Sequence, residues 1–213
     1  MSNPLLEIKD LHVSVNGIKI ISGFNLLMHE GERIVVKGNS GSGKTTLLNV
    51  LLGFAVPDSG DVILEGKSLK EHIFWFRKKI AWLPQSIHID MPVKDYIMLP
   101  YTLKSNANMK YGHDRTLSMI TEFGLDENIL TKSMADLSGG EKQRIALISI
   151  LLPGKSLFLL DEPVSALDQE SKKKVTDFLF VKNHFSILSN SHDDSWLALC
   201  DRLIHIEQNG LNN

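Results

Sequence analysis

The sequence predicts an α/β fold with a mostly parallel sheet, an antiparallel β subdomain at the N-terminus and a helical insertion before the last strands. Three observations predict it. A glycine-rich turn at residues 38–45 lies between a strand-like run (33–37) and a helix-like run (46–52). Residues 156–160 form a continuous apolar run, the pattern of a parallel strand buried on both faces. From residue 86 onward, strand-type alternation gives way to helical spacing, as in Leu117, Ile120, Thr121 and Gly124. Strands that alternate with helices imply a parallel core.

Taken in order, residues 6–15 alternate apolar and polar, as half-buried strands do. Asn16-Gly17 is a hairpin turn signal, and 18–27 reads as the return strand. Glu30-Gly31-Glu32 turns the chain into the strand 33–37. Pro57-Asp58-Ser59-Gly60 has turn chemistry, and the short strand 62–64 that follows is closed by Glu65-Gly66. Residues 80–83 form another strand, stopped by Pro84. Residues 86–150 read as a mostly helical insertion. The strand 156–160 follows, with two more at 185–188 and 202–206.

Size and composition bound the function. The chain has 213 residues, 43% of them hydrophobic and 23% charged, which suits one globular domain or one with a subdomain. A net charge of −2 lacks the basic balance of a general nucleic-acid binder. Cys200 is the single cysteine, so no internal disulfide can form; this suits a reducing compartment and a small buried apolar position. Met1-Ser2-Asn3-Pro4 lacks the basic flank and apolar core of a signal peptide. The longest apolar run, 145–152, is interrupted by Ser149 and far shorter than a bilayer span, so the chain is not expected to cross a membrane. The 8 histidines are scattered without metal-ligand pairing, and no structural metal is assigned.

Gly38-Asn39-Ser40-Gly41-Ser42-Gly43-Lys44-Thr45 fits G-x-x-x-x-G-K-[ST], the Walker A phosphate-binding loop of nucleoside triphosphatases. The flanking strand and helix supply the context that this motif needs. Glycines let the backbone curl so that several N–H groups point inward, toward the positive end of the next helix. Lys44 is placed to reach the β- and γ-phosphates of ATP, and the Thr45 hydroxyl to hold Mg²⁺, with Thr46 beginning the helix. The core is therefore expected to be that of a P-loop NTPase.

A second constellation lies about 100 residues further on. Leu137-Ser138-Gly139-Gly140-Glu141-Lys142-Gln143-Arg144 precedes a helix expected to run to Leu152. Ser138 with Glu141 is a capping box. The two glycines between them weaken a first turn, so something is expected to approach the backbone there. The Ser138 hydroxyl and the amides of Gly139 and Gly140 form a second anion site.

Here the sequence resembles the ATP-binding subunits of ABC transporters, whose signature the Leu-Ser-Gly-Gly-Glu stretch matches. The resemblance spans residues 5–207, and six motifs arrive in the family's order: the phosphate loop, Gln85, the signature, Asp161-Glu162, Ser165-Ala166-Leu167-Asp168 and His192. It implies a single domain, 1–213, with 1–85 and 151–213 as the nucleotide-binding core and 86–150 as a helical subdomain. Asp161, at the carboxyl end of its strand, would ligate Mg²⁺ directly or through water. Glu162 would orient or deprotonate the attacking water. Gln85 would touch the metal and the water and link the core to the insertion. His192 would contact the γ-phosphate; His184 is the rival position, but His192-Asp193 better matches the family's pattern.

Two departures from the family stand out. The family usually places an aromatic in the first hairpin, to stack on adenine. The equivalent here is Val13, Val15 or Asn16, and no Phe, Tyr or Trp occurs in residues 1–23. Val164 stands where the family commonly has Thr.

The resemblance further implies a homodimer with two ATP at its interface. Ser138, Gly139, Gly140 and Asp168 of one copy would close over nucleotide held by the phosphate loop of the other. The pair would energise a separate integral membrane permease from the cytoplasmic face, as a peripheral subunit. Residues 98–101 and 129–137 resemble bacterial ATPases paired with an iron- or metal-exporting permease; a lipoprotein- or peptide-handling system is the alternative cargo reading. In a different class stands a soluble ABC-type ATPase acting on DNA or ribosomes. Its chromosome-maintenance members carry a long coiled coil between the nucleotide motifs, and its translation-factor members carry two tandem domains; this chain has neither. Intact Lys44, Asp161, Glu162 and His192 argue against a regulatory module without turnover.

Overall fold

The computed structural model describes residues 3–39 and 41–206. Ser40 of the phosphate loop and Glu207, both within the span of the family resemblance, lie outside the described residues.

The chain opens with the expected hairpin, β1 (Leu6–Val15) and β2 (Ile18–Met28). Asn16 and Gly17 take φ of 51° and 77°, the left-handed pair that a two-residue hairpin turn demands. The β3 strand (Arg33–Lys37) delivers the phosphate loop, and α1 (Lys44–Leu51) leaves it. Next come β4 (Ser59–Leu64), the two-residue β5 (Lys67–Ser68), α2 (Ile73–Lys79) and β6 (Ile80–Leu83). The stretch that follows holds α3 (Val93–Thr102), α4 (His113–Glu122) and α5 (Gly139–Leu151), joined by short 3₁₀ turns. It returns through β7 (Leu157–Asp161), α6 (Gln169–Thr176), β8 (Ile187–Asn190), α7 (Asp194–Leu197) and β9 (Arg202–His205).

The described residues form two sheets. One is antiparallel, with strand order β2-β1-β4-β5, and the other parallel, with order β6-β7-β8-β3-β9. The central strands of the parallel sheet are buried on both faces, and their alternation shows how. Leu157 and Leu159 of β7, with Ile34 and Val36 of β3, join a core shared with the antiparallel sheet and α1. Phe158, Leu160 and Val35 point the other way, into a core shared with α3, α4 and α5. Both faces being apolar, the run reads as continuous hydrophobic sequence. Among the described residues, no helix is long and apolar enough to cross a membrane.

Several boundaries differ from expectation. The strand expected at 185–188 is Ile187–Asn190. Phe185 instead stacks edge-on against Phe158, with ring centroids 5.0 Å apart, and pairing with β3 begins at Arg33↔Ile187. The strand expected at 62–64 begins at Ser59, because Ser59 pairs with His12. There Gly60, at φ +87°, passes so close to β1 that a Cβ would lie 2.3 Å from the Asp10 carbonyl oxygen. Asp161 is the last residue of its strand rather than the first after it. The α2 helix was not legible in advance: it has a single buried residue, Phe76, and so no apolar periodicity.

Candidate active site

Because β3, β7 and β8 run parallel and side by side, their carboxyl ends share one edge. A cavity of about 460 Å³ lies there, lined by Gly41, Gly43, Lys44, Thr45 and Thr46 from the loop after β3 and by Gln85, Glu162, Asn190 and His192 from the ends of β6, β7 and β8. Val15 and Ile20 of the hairpin complete its wall. A cavity of about 520 Å³ elsewhere, beside Glu7, Glu30 and Glu65, contains none of the residues singled out from the sequence.

The phosphate loop is shaped by its glycines. A Cβ on Gly38 would lie 2.4 Å from both the Ile206 carbonyl oxygen and Ser42 Oγ, so no larger residue fits. Gly43 precedes α1 at φ 102°, left-handed and without a side-chain cap, which leaves the first amides of the helix free for an anion. The ammonium of Lys44 folds back over the loop and donates to Gly38 O (2.5 Å) and Asn39 O (2.9 Å). Ser42 is buried, with an Oγ that has no hydrogen-bond partner among the described residues. Free helix amides and a lysine around one concavity fit a polyphosphate.

The acidic pair splits into two environments. Asp161 is 8% exposed and accepts a 2.9 Å hydrogen bond from Asn190 Nδ2 on its Oδ1. Glu162 adopts φ 49°, a left-handed conformation costly for a residue with a Cβ. Its main chain is held at both ends: the N–H donates to Asn190 O (2.9 Å), and the carbonyl accepts from Gln143 Nε2 (2.7 Å) and Ser165 Oγ (3.1 Å). Burial pushes the Glu162 carboxyl above its ordinary value, and neighbouring Asp161 adds to this; the His192 N–H, the His192 ring and Lys44 act against it. The His192 N–H lies 3.4 Å from Glu162 Oε2 and its ring Nε2 3.8 Å from Oε1, with the His192 side chain 64% exposed.

The signature and the Asp168 loop lie away from this cavity in the same chain. Ser138 caps α5 in a reciprocal box: its backbone N–H and its hydroxyl donate to Glu141 Oε2 (2.9 and 2.7 Å), and its Oγ accepts from the Glu141 N–H (3.3 Å). Within one chain, therefore, the Ser138 hydroxyl is engaged as a cap, and that contact holds the Glu141 carboxyl below its usual range. The close approach expected at the two glycines comes from the chain itself. A Cβ on Gly140 would stand 3.0 Å from the Ala166 carbonyl oxygen. Asp168 caps α6 by accepting from the Ser171 N–H at 2.8 Å.

Two residues that shape the site were not singled out from the sequence. Ile20 lines it, and Gln143, buried in α5, ties Glu162 O to the Ala166 N–H. A lone amide on an otherwise apolar helix face was the available signal for Gln143. Asn190 is the third omission, a polar residue closing an apolar strand. Of the three hairpin positions left open, Val13 is 1% exposed inside the sheet, and Val15, at 43%, is the one that borders the cavity.

Comparison with known proteins identifies this arrangement. Residues 21–165 match the family model described as ABC transporter. The probable iron export ATP-binding protein FetA of Escherichia coli (strain K12) is 31% identical over 213 residues, covering 97% of this chain and 92% of that protein. A lipoprotein-releasing system ATP-binding protein, LolD of Psychrobacter arcticus, is 31% identical over 86% of this chain and 85% of its own. The fold matches that of the ATP-binding cassette MJ0796, solved as a dimer in a post-hydrolysis state with ADP and Pi, at a TM-score of 0.84 and 22% identity, covering 98% of this chain and 97% of that one. The family model covers more than half of the chain, and FetA aligns along nearly all of it; the chain belongs to the ABC transporter family, as one of its ATP-binding ATPase subunits.

Proposed function

We propose that this chain is the energising subunit of an ABC transporter, hydrolysing ATP between two copies of itself at the cytoplasmic face of a membrane and driving a separate permease. The observation that carries the reading is the gathering of Lys44, Thr45, Glu162 and His192 around one cavity at the carboxyl edge of a parallel sheet. Lys44 would leave its two carbonyl partners for the β- and γ-phosphates, gaining a charge-assisted contact in place of two neutral ones. The free amides of α1 would hold the β-phosphate. Glu162, its proton affinity raised by burial, would take the proton of the attacking water. His192, beside it and exposed, would contact the γ-phosphate.

The oxygen donors Thr45, Asp161 and Gln85 suit a hard divalent ion. Among the described residues, no cluster of three or more His, Cys, Asp or Glu side chains forms a cage, which accords with an ion held largely by phosphate oxygens and water. Bound Mg²⁺ would neutralise charge on the triphosphate.

Ser138, Gly139, Gly140 and Asp168 lie outside the cavity of their own chain, so they would act on nucleotide held by a second copy. Engagement would require the Ser138 hydroxyl to turn from Glu141 toward phosphate. The core, 1–85 and 151–213, would bind nucleotide, and 86–150 would carry the motion to the permease. For cargo we favour export of iron or another metal, on the likeness to FetA across nearly the full chain. The tests are direct. Lys44→Ala should abolish Mg·ATP binding, and wild-type hydrolysis should require Mg²⁺. Co-purification with a polytopic membrane protein, and metal efflux dependent on it, would decide partner and cargo. Recovery of DNA or ribosomes in place of a membrane protein would overturn the transport reading.

A further inference from the structure

The reading above assigns Asn190 nothing, yet Asn190 contacts both acidic residues of the site. It closes β8 and is 7% exposed. In the parallel ladder it pairs with Asp161. Its Nδ2 donates to Asp161 Oδ1 at 2.9 Å, and its backbone carbonyl accepts the Glu162 N–H at 2.9 Å. Among the described residues its side-chain oxygen, Oδ1, is buried without a partner, although the residue lines the cavity. A buried amide oxygen left unbonded is costly, and no packing need explains it: Leu188, two residues earlier on the same strand, is fully buried and apolar.

We propose that Asn190 is a positioning residue for the metal-bearing carboxylate. This rests on the assignment of Asp161 as a magnesium ligand. One Nδ2–H held on Oδ1 fixes the carboxylate rotamer and leaves Oδ2 as the oxygen available to the ion or its water. The partnerless Oδ1 of Asn190 supplies an acceptor for a donor that arrives with the nucleotide, and a metal-bound water is such a donor. The same residue's carbonyl anchors the Glu162 backbone in its left-handed conformation, so one side chain and one main-chain group set the relative placement of the two carboxylates. Orienting partners of this kind, hydrogen-bonded to a ligand rather than to the metal, typically change metal affinity by about 10–100-fold when removed.

The test is nucleotide binding rather than turnover, made in the Glu162→Gln background with a fluorescent ATP analogue. Binding is titrated against Mg²⁺ and, separately, measured in EDTA; Mn²⁺ binding is followed by electron paramagnetic resonance. Asn190→Leu should raise the half-saturating Mg²⁺ by roughly tenfold or more, and weaken Mn²⁺ binding to match, with EDTA affinity unchanged. Asn190→Ser, which restores a small donor, should recover part of that loss. If Asn190→Leu does not fold, Asn190→Ala carries the same expectation. Equal losses with and without metal, or no loss at all, would overturn the proposal in favour of a structural role. Asp161→Asn separates the two layers. If it moves the Mg²⁺ dependence and the Asn190 variants do not, only the positioning role fails. If Asp161→Asn moves nothing, the metal assignment itself fails and the positioning role falls with it.

Discussion

Replacing Glu162 by Gln should separate nucleotide binding from hydrolysis. Gln has the same size and shape, and the contacts that hold residue 162 in its left-handed conformation are main-chain ones: its N–H to Asn190 O, and its carbonyl to Gln143 and Ser165. None of these depends on the side-chain charge. The carboxylate-specific contacts are weak, a 3.4 Å approach from the His192 N–H and a 3.8 Å one from its ring. The fold should therefore survive. Loss of a general base typically costs about 10²–10⁴-fold in rate, equivalent to roughly 2.7–5.5 kcal/mol of barrier. Single-turnover cleavage of labelled ATP measures this, and size-exclusion chromatography with ATP should show an accumulated dimer. Cleavage within about twofold of wild type, well inside the range for removing a proton acceptor, would refute the assignment of the base.

The raised carboxyl adds a stability readout with a definite sign. Between the ordinary value of 4.5 and the higher folded value, native Glu162 keeps a proton that the unfolded chain has lost. Stability contributed by this group is thus present at low pH and lost as pH rises through that window. At neutral pH the ionised, desolvated carboxylate is a net burden, and Gln removes it. The Tm of Glu162→Gln should exceed that of wild type at pH 7, and the difference should vanish near pH 4. A lower Tm at pH 7 would show that contacts of the charged form outweigh its burial.

Three further predictions probe the surrounding elements. Gly38→Ala places a Cβ 2.4 Å from the Ile206 carbonyl oxygen; an overpacking cost of about 2 kcal/mol should lower Tm by roughly 4–8 °C in a thermal melt and weaken ATP binding. Val15→Tyr adds an aromatic face to the cavity wall, and base stacking worth about 1–3 kcal/mol should tighten ATP binding about fivefold or more by fluorescence titration; an unchanged affinity would remove the base from this wall. Ser138→Ala deletes the α5 cap and should cost about 1 kcal/mol by denaturant melt, leave single-chain ATP affinity intact, and abolish ATP-dependent pairing in the Glu162→Gln background.

Most residues that line the cavity were legible in the chain because they belong to short contiguous motifs. Lys44, Thr45, Asp161 and Glu162 are each announced by a local pattern, and the strands that deliver them, residues 33–37 and 157–161, are strongly apolar. What could not be read depends on three-dimensional pairing. Asn190 matters only because β8 lies beside β7 in register, a relation that no window along the chain contains. Val13, Val15 and Asn16 were equivalent in sequence, and only the hairpin's orientation over the phosphate loop selects Val15. Helix α2 is short and ends in Arg77-Lys78-Lys79, so its apolar contacts, from Ile73, Trp75 and Phe76, are too few to set a helical period in the sequence.

The same pairing explains how residues more than 100 positions apart meet with the accuracy that chemistry requires. In a parallel ladder the register acts as a ruler. Arg33 pairs with Ile187 and Phe158 with Ile187, so β7 and β8 end level, with Asp161 opposite Asn190, and β3 runs one residue further, to Lys37. Side chains alternate faces along a strand, so slipping β7 by one residue would exchange its two apolar sets between the two cores. Leu157 and Leu159 would trade places with Phe158 and Leu160, forcing an aromatic ring into space shaped for leucine. The mismatch penalises the slip, and it is felt well before Asp161 is reached. Placement of the acidic pair is therefore enforced by packing several residues away. Conservative core changes at Phe158 should disturb Mg²⁺ dependence even though that side chain faces away from the nucleotide.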